Sequence, residues 1–206
     1  MAKQSEVLTI GHSNHTVERF IGLLRQHHVT ALADVRSAPY SQMHAQFNRE
    51  ALAAALKQDG IAYSFLGKDL GGRPADKTCY ENGRVQYRRV AATSIFRSGI
   101  ERILVGTQSY RIVLMCAERE PLECHRTLLV APEIERAGIS VIHVHADGRI
   151  ESHSDAMSRL LDLHRLPEED LFRSRSELID EACYRQQERV AFAEKAVPQD
   201  AGQVVR

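Results

Sequence analysis

The run RIVLMC at residues 111–116 constrains the fold most. It is too short for a helix and is apolar on both faces, which suits a strand covered on both sides, as in a parallel sheet. Its surroundings agree. Residues 7–10 form a first strand candidate that ends in Gly11-His12-Ser13. A helix follows, capped by Asn14 or Thr16, with Val17, Phe20, Ile21 and Leu24 on one face. Residues 31–35 are a second strand. Asn48 then caps a helix that buries Leu52, Ala55 and Leu56, and Gly60 stands where a helix-ending glycine belongs. Residues 61–66 are a third strand and 140–146 a fifth, closed by the turn pair Asp147-Gly148. Strands alternating with helices predict an open α/β fold, with about five mostly parallel strands and helices on both faces.

The remaining segments are read as connections and additions. Residues 67–81 carry glycines, a proline and mixed charge without a period, and read as a long loop. Helical pattern spans about 86–105, with a break expected at Gly99. It returns at 126–137, where Pro132 predicts a kink. Beyond residue 150 strand signals stop. Helices are expected over 154–163 and from Glu168 onward, the second with Ile179, Cys183, Val190 and Ala193 as its stripe. The division that follows is an α/β domain over 5–150, a helical C-terminal extension over 151–197 packed on it, and a frayed tail over 198–206.

In such a sheet, ligands bind beyond the carboxyl ends of the strands. Polar groups accumulate there: His12 and Ser13 after strand one, Asp34 and Arg36 after strand two, Cys116 and Glu118 after strand four, His143, His145 and Asp147 after strand five. The segment LMCAEREPLECHR runs from buried strand to helix start. Cys124, beside His125 and Arg126, is placed for a lowered thiol pKa, and Arg126 with the free amides of the helix start suggests an anion cradle. Cys116 is equally readable as a small buried hydrophobe. Gly71 and Gly72 let backbone approach a ligand, to which Arg73 can offer charge.

Several alternatives fail on spacing. Cysteine-loop phosphatases and sulfurtransferases need Cys and Arg about six positions apart, so that loop amides and guanidinium converge on one anion. Here Cys116 and Arg126 are ten apart. The glycine patterns of nucleoside-triphosphate and dinucleotide sites are missing, as is H-E-x-x-H. Four cysteines without C-x-x-C suit neither a disulfide scaffold nor a zinc ribbon. Cys79 and Cys183 are assigned no role, and a structural or hydrogen-bonded state is expected of His143 and His145 in preference to metal ligation.

Lys plus Arg total 27 and Asp plus Glu total 27, so extended duplex nucleic-acid binding is not expected, although Arg84, Arg88 and Arg89 could form a local basic edge. No signal-peptide stretch or spanning helix is read, and a cytoplasmic location with no membrane partner is expected.

The strings TIGHSNHTVERFIGLL, DVRSAPYS, LGGRP, LMCAEREPLECHR and HVHADGRI occur in this order over residues 7–153, and the chain thereby resembles the domain-of-unknown-function 488 family. The stretch LFRSRSELIDEACYRQQERVAF resembles the C-terminal extension of its longer members. The resemblance implies an α/β domain with signature residues His12, Ser13, Asp34, Arg36, Cys116, Glu118, Cys124, His125 and Arg126. It implies no activity.

The reading favoured is an enzyme acting on a small anionic or nucleotide-like substrate. Cys116 or Cys124 would be the nucleophile, Asp34, Glu118 or His125 would transfer protons, and Arg36 and Arg126 would hold the anion, with His12, Ser13, Gly71, Gly72 and Arg73 as further substrate contacts. No cofactor is identified and no metal is assigned. A binding module without turnover is one alternative. Another is thiol redox or metal chemistry, in which Cys116 and Cys124 pair or share a soft metal with His125 or His143. Arg36 is expected to face the Cys116–Arg126 loop and to bond a carboxylate, Glu118 first and Asp34 second.

Overall fold

A computed structural model of the chain describes residues 6–194. In chain order it contains β1 (Glu6–Gly11), α1 (Val17–Gln26), β2 (Ala31–Asp34), α2 (Arg49–Gln58), β3 (Ala62–Phe65), α3 (Gly67–Leu70), β4 (Tyr80–Glu81), β5 (Arg84–Val85), α4 (Tyr87–Ala91), α5 (Ser94–Gly106), β6 (Ile112–Cys116), α6 (Ala131–Arg136), β7 (Ser140–Val144), β8 (Ile150–Ser152), α7 (His153–Leu163) and α8 (Arg175–Val190). The main sheet has six strands in the order β3-β2-β6-β1-β7-β8. All its pairings are parallel except β7 with β8.

The apolar run forms β6 at the centre, buried along its whole length. Side chains alternate across the sheet. Val113 and Met115 join Leu8, Ile10, Leu32, Phe20 and Leu52 under α1 and α2. Ile112, Leu114 and Cys116 join Val7, Ala33 and Val35 on the opposite face, under residues of α5, α6, α7 and α8. The fold is therefore the expected α/β sandwich of helices around a mostly parallel sheet.

Local chemistry explains where the elements depart from the reading above. The strands do not stop at residue 150: after the Asp147-Gly148 turn, β8 returns antiparallel to β7, but its three residues are too few to register a period. The expected loop over 67–81 holds α3, a 3-10 turn at Lys77–Cys79 and β4 of a small hairpin, all below the length at which periodicity is visible. The break in the next helical stretch falls at Thr93, not Gly99: its hydroxyl accepts from Phe96 N and starts α5. Gly99 instead lies inside α5, where a Cβ would come within 2.8 Å of Leu70.

Pro132 has no N–H to offer the preceding turn, and Arg126–Val130 widens into a π turn just before α6. Asn48 occupies the N-cap of α2, but its side chain accepts from Ser41 N instead of from the helix. The last helix begins at Arg175, not Glu168, where Ser174 and Glu177 form a capping box. Its fully covered line is Leu178, Ala182 and Gln186, with Ile179, Cys183 and Val190 only partly covered and Ala193 past its end. The expected tail over 198–206 lies outside the described residues. No helix among the described residues is long and apolar enough to cross a membrane.

Candidate active site

The carboxyl ends of the parallel strands hold two polar clusters, one on each face of the sheet. Strand parity separates them. Met115 is the register partner of Asp34, and Cys116 that of Gly11. Asp34 and Arg36 therefore point toward α1 and α2, whereas Cys116 points to the other face.

On the α1/α2 face, Asp34 and Arg36 form a buried bidentate pair: Nε to Oδ1 at 2.9 Å and Nη2 to Oδ2 at 2.6 Å. Tyr63 donates to Oδ2 at 2.8 Å, and Arg36 Nη2 also donates to Phe47 O at 2.8 Å. Arg36 Nη1 donates to His12 Nε2 at 3.2 Å, whose ring stacks on Phe47 with centroids 4.4 Å apart. The expectation that Arg36 prefers Glu118 is corrected here. The two residues belong to opposite faces, and Asp34 takes the guanidinium. Burial lowers the pKa of His12 to about 4; the bond to Ser13 O opposes this, and the charges of Arg36 and His44 add to it. His12 is thus a neutral acceptor for Arg36. Ser13 is held by its N–H on Ala117 O at 3.0 Å, in a left-handed conformation with φ of 49°.

On the other face, four predicted residues meet. Glu118 Oε2 lies 2.8 Å from Cys116 Sγ and 3.0 Å from Cys124 Sγ. His125 Nδ1 is 3.6 Å from the first sulfur and 3.7 Å from the second. The other ring nitrogen, Nε2, is 3.0 Å from Val35 O, to which its N–H donates. Both cysteines are free thiols and buried. Glu118 is an exposed residue whose carboxylate reaches inward over them, and so is the solvent-side member of the group.

Arg126 is completely buried beneath the loop, with Nη1 on Glu118 O at 2.8 Å and Nη2 on Arg119 O at 3.4 Å. In place of the expected open anion cradle, its guanidinium holds main chain and acts on the site through charge. Glycine is required at Gly11, where a Cβ would lie 1.8 Å from Glu118 O, and Gly72 packs closely on the imidazole, a Cβ there lying 3.0 Å from His125 Cγ. Gly71 packs on Ser37, whose hydroxyl accepts from Arg73 N, while the Arg73 guanidinium stacks over Phe192, 4.5 Å from its centroid.

The electrostatics separate the two thiols. Burial opposes ionisation of Cys124, but the hydrogen bond from Cys116 and the positive charges of Arg126 and His125 outweigh it and hold this thiol well below its usual range. Burial pushes Cys116 up, and its bond to Cys124 and that residue's charge push it further. Glu118 is raised by burial and then by the charge of Cys124. For His125, burial pulls downward, yet Cys124, Glu118 and the Val35 bond raise it overall. Together these interactions favour the thiolate on Cys124 over that on Cys116, the charged form of His125 and the neutral form of Glu118.

Other candidates lie apart from this group. His143 bonds Thr9 at 2.8 Å and His153 at 3.1 Å, and His145 bonds Glu151 at 3.0 Å, so both are hydrogen-bonded, as expected. Arg84, Arg88 and Arg89 are paired with Glu188, Asp180 and Glu81. Sequence reasoning missed Tyr87, a buried phenol that burial raises first and the charges of Cys124, Cys116 and Glu118 raise further. It also missed Tyr63 and Phe47 around the ion pair. Only the alternation of Tyr63 along β3 could have signalled its face. A groove of about 600 Å³ beside α7 and α8 is lined by Tyr87 but by none of the four clustered residues.

The family model described as "Domain of unknown function DUF488" matches residues 16–131, which include the whole thiol cluster and the Asp34–Arg36 pair. No curated protein matches the chain. Among solved structures, the chain is similar to a DUF442 protein from Shewanella putrefaciens CN-32, at 11% identity and a TM-score of 0.37, with 89% of this chain and 91% of that chain covered. A likeness of that size carries nothing about chemistry.

Proposed function

The chain belongs to the DUF488 family, and from that premise we propose that it is an enzyme in which Cys124 attacks a small anionic or nucleotide-like substrate. The observation that supports this reading is the convergence of Glu118 Oε2 and His125 Nδ1 on the Cys124 sulfur, at 3.0 and 3.7 Å, above a buried guanidinium. A thiolate that accepts from an imidazolium is an activated nucleophile, and a carboxyl group with a raised pKa is a general acid.

The Cys124 thiolate forms a bond to the electrophilic centre while the bond to the leaving oxygen breaks, and Glu118 delivers its proton to that oxygen. The Glu118 carboxylate then takes a proton from water, whose oxygen displaces the thiolate. Cys116 donates its hydrogen bond to the charged sulfur and so steadies it, and His125 keeps the compensating positive charge beside it. Exposed Arg119 adds positive charge to the loop that carries Glu118.

The test is a panel of small phosphate esters, anionic carboxylic esters and nucleotides offered to the wild type and to Cys124→Ser. Turnover of a panel member that falls by about a hundredfold or more in the variant, with unchanged circular dichroism, supports the assignment. Turnover that survives in Cys124→Ser overturns it.

A further inference from the structure

We propose that Cys116, Cys124 and His125 also form a binding site for one soft divalent cation of the zinc type, with Glu118 as an exchangeable fourth ligand. The proposal rests on the same cluster as the enzymatic reading and adds a regulator to it. Both sulfurs become ligands when the cation is bound, and the Cys124 nucleophile is available only when it leaves.

The three donor atoms lie within 4.8 Å of one another. In a tetrahedral site with zinc–sulfur bonds near 2.3 Å and zinc–nitrogen bonds near 2.05 Å, sulfur and nitrogen stand about 3.6 Å apart. His125 Nδ1 is 3.6 and 3.7 Å from the two sulfurs, so the imidazole needs almost no rearrangement. The ring is also oriented as a ligand requires. Its Nε2–H is taken by Val35 O, which leaves the Nδ1 lone pair to the cluster when the ring is neutral. Two thiols select a soft or borderline cation over magnesium or calcium.

Glu118 behaves differently. Its oxygen is 2.8 and 3.0 Å from the sulfurs, closer than two ligands of one metal would stand, so it must draw back to admit the cation. It is the exposed member of the group and can move without disturbing the core. Three fixed ligands and one movable carboxylate give a site that loads and releases from the solvent side. Loading discharges the remaining thiol protons, so its affinity must rise with pH.

The experiment titrates chelator-treated, reduced protein with Co²⁺ and follows absorbance. One equivalent per chain should produce thiolate-to-cobalt charge transfer and the strong visible bands of a tetrahedral ion. One equivalent of Zn²⁺ should erase them, and excess Mg²⁺ should not. Cys116→Ser and Cys124→Ser should remove the charge-transfer intensity in part, and Glu118→Gln should keep the fold and weaken affinity about tenfold or more. Cys183→Ser should behave as wild type. Absence of the bands in folded wild-type protein overturns the proposal, as does full intensity in the Cys116→Ser/Cys124→Ser double variant. The two readings fail separately. Missing bands with turnover that still depends on Cys124 refute the cation site alone, and cobalt binding with turnover indifferent to Cys124 refutes the nucleophile alone.

Discussion

His125 donates its Nε2–H to the carbonyl of Val35 across 3.0 Å, and this bond turns Nδ1 toward both thiols. Val35 directly follows β2 and His125 lies beyond β6, so the ends of two paired strands aim the imidazole. His125→Gln removes one of the two positive charges that lower Cys124. Alkylation of Cys124 by iodoacetamide at neutral pH should slow about tenfold or more, measured by mass spectrometry of the modified peptide. An unchanged rate would assign the lowered pKa to Arg126 alone.

The Asp34–Arg36 pair is predicted to be structural. Both residues are at most 5% exposed, and removing one partner strands a buried charge. Asp34→Asn should cost about 3–5 kcal/mol, read as a lower denaturation midpoint, while iodoacetamide still finds Cys124 at the wild-type rate in the folded protein. A variant of wild-type stability with altered Cys124 reactivity would place the pair in the chemistry.

Gly11 sits directly against the loop that carries Glu118. A Cβ there would meet Glu118 O at 1.8 Å, a contact with backbone that no side-chain rotation relieves. Gly11→Ala should destabilise by about 3 kcal/mol or more and disturb Cys124 reactivity together with stability. Gly22→Ala, where a Cβ meets nothing within 4 Å, is the matched control.

Stability should fall with acid in a defined window. Burial lowers the pKa values of His12 and His153 from 6.5 to about 4 in the folded chain. Between those limits the unfolded chain binds more protons, so stability is full above about pH 6.5 and is lost as pH falls toward 4. Each histidine contributes about 3 kcal/mol at most across the window. His12→Gln should reduce the slope of denaturation midpoint against pH and leave the share carried by His143 and His153, which burial also lowers. A slope unchanged in the variant would contradict the assignment of His12.

The architecture was legible because β6 is apolar on both faces and the strands alternate with amphipathic helices. The ingredients of the site were legible because Cys116, Glu118, Cys124 and His125 stand at one strand end and the loop after it. Their partition was not. Whether Asp34 shares a face with Cys116 depends on the register that pairs it with Met115, and register is a property of neighbouring strands rather than of either string. Glu118 therefore went to the thiols and Asp34 to Arg36. The short helix α3, the small hairpin and β8 escaped notice because two to four residues hold no period. Tyr87 escaped because its place beside the thiols depends on how α4 packs, which no local spacing encodes.

The central claim is that Cys124 is a thiolate at neutral pH while Cys116 is a thiol. Ultraviolet absorbance of the thiolate, titrated with pH in wild type, Cys124→Ser and Cys116→Ser, tests it without a substrate. An ionisation well below the usual thiol range is expected that disappears in Cys124→Ser and persists in Cys116→Ser, where the hydroxyl, a stronger donor than a thiol, can still support the neighbouring charge. A wild-type titration with no ionisation below the ordinary thiol range, or a low one that persists in Cys124→Ser, would contradict it.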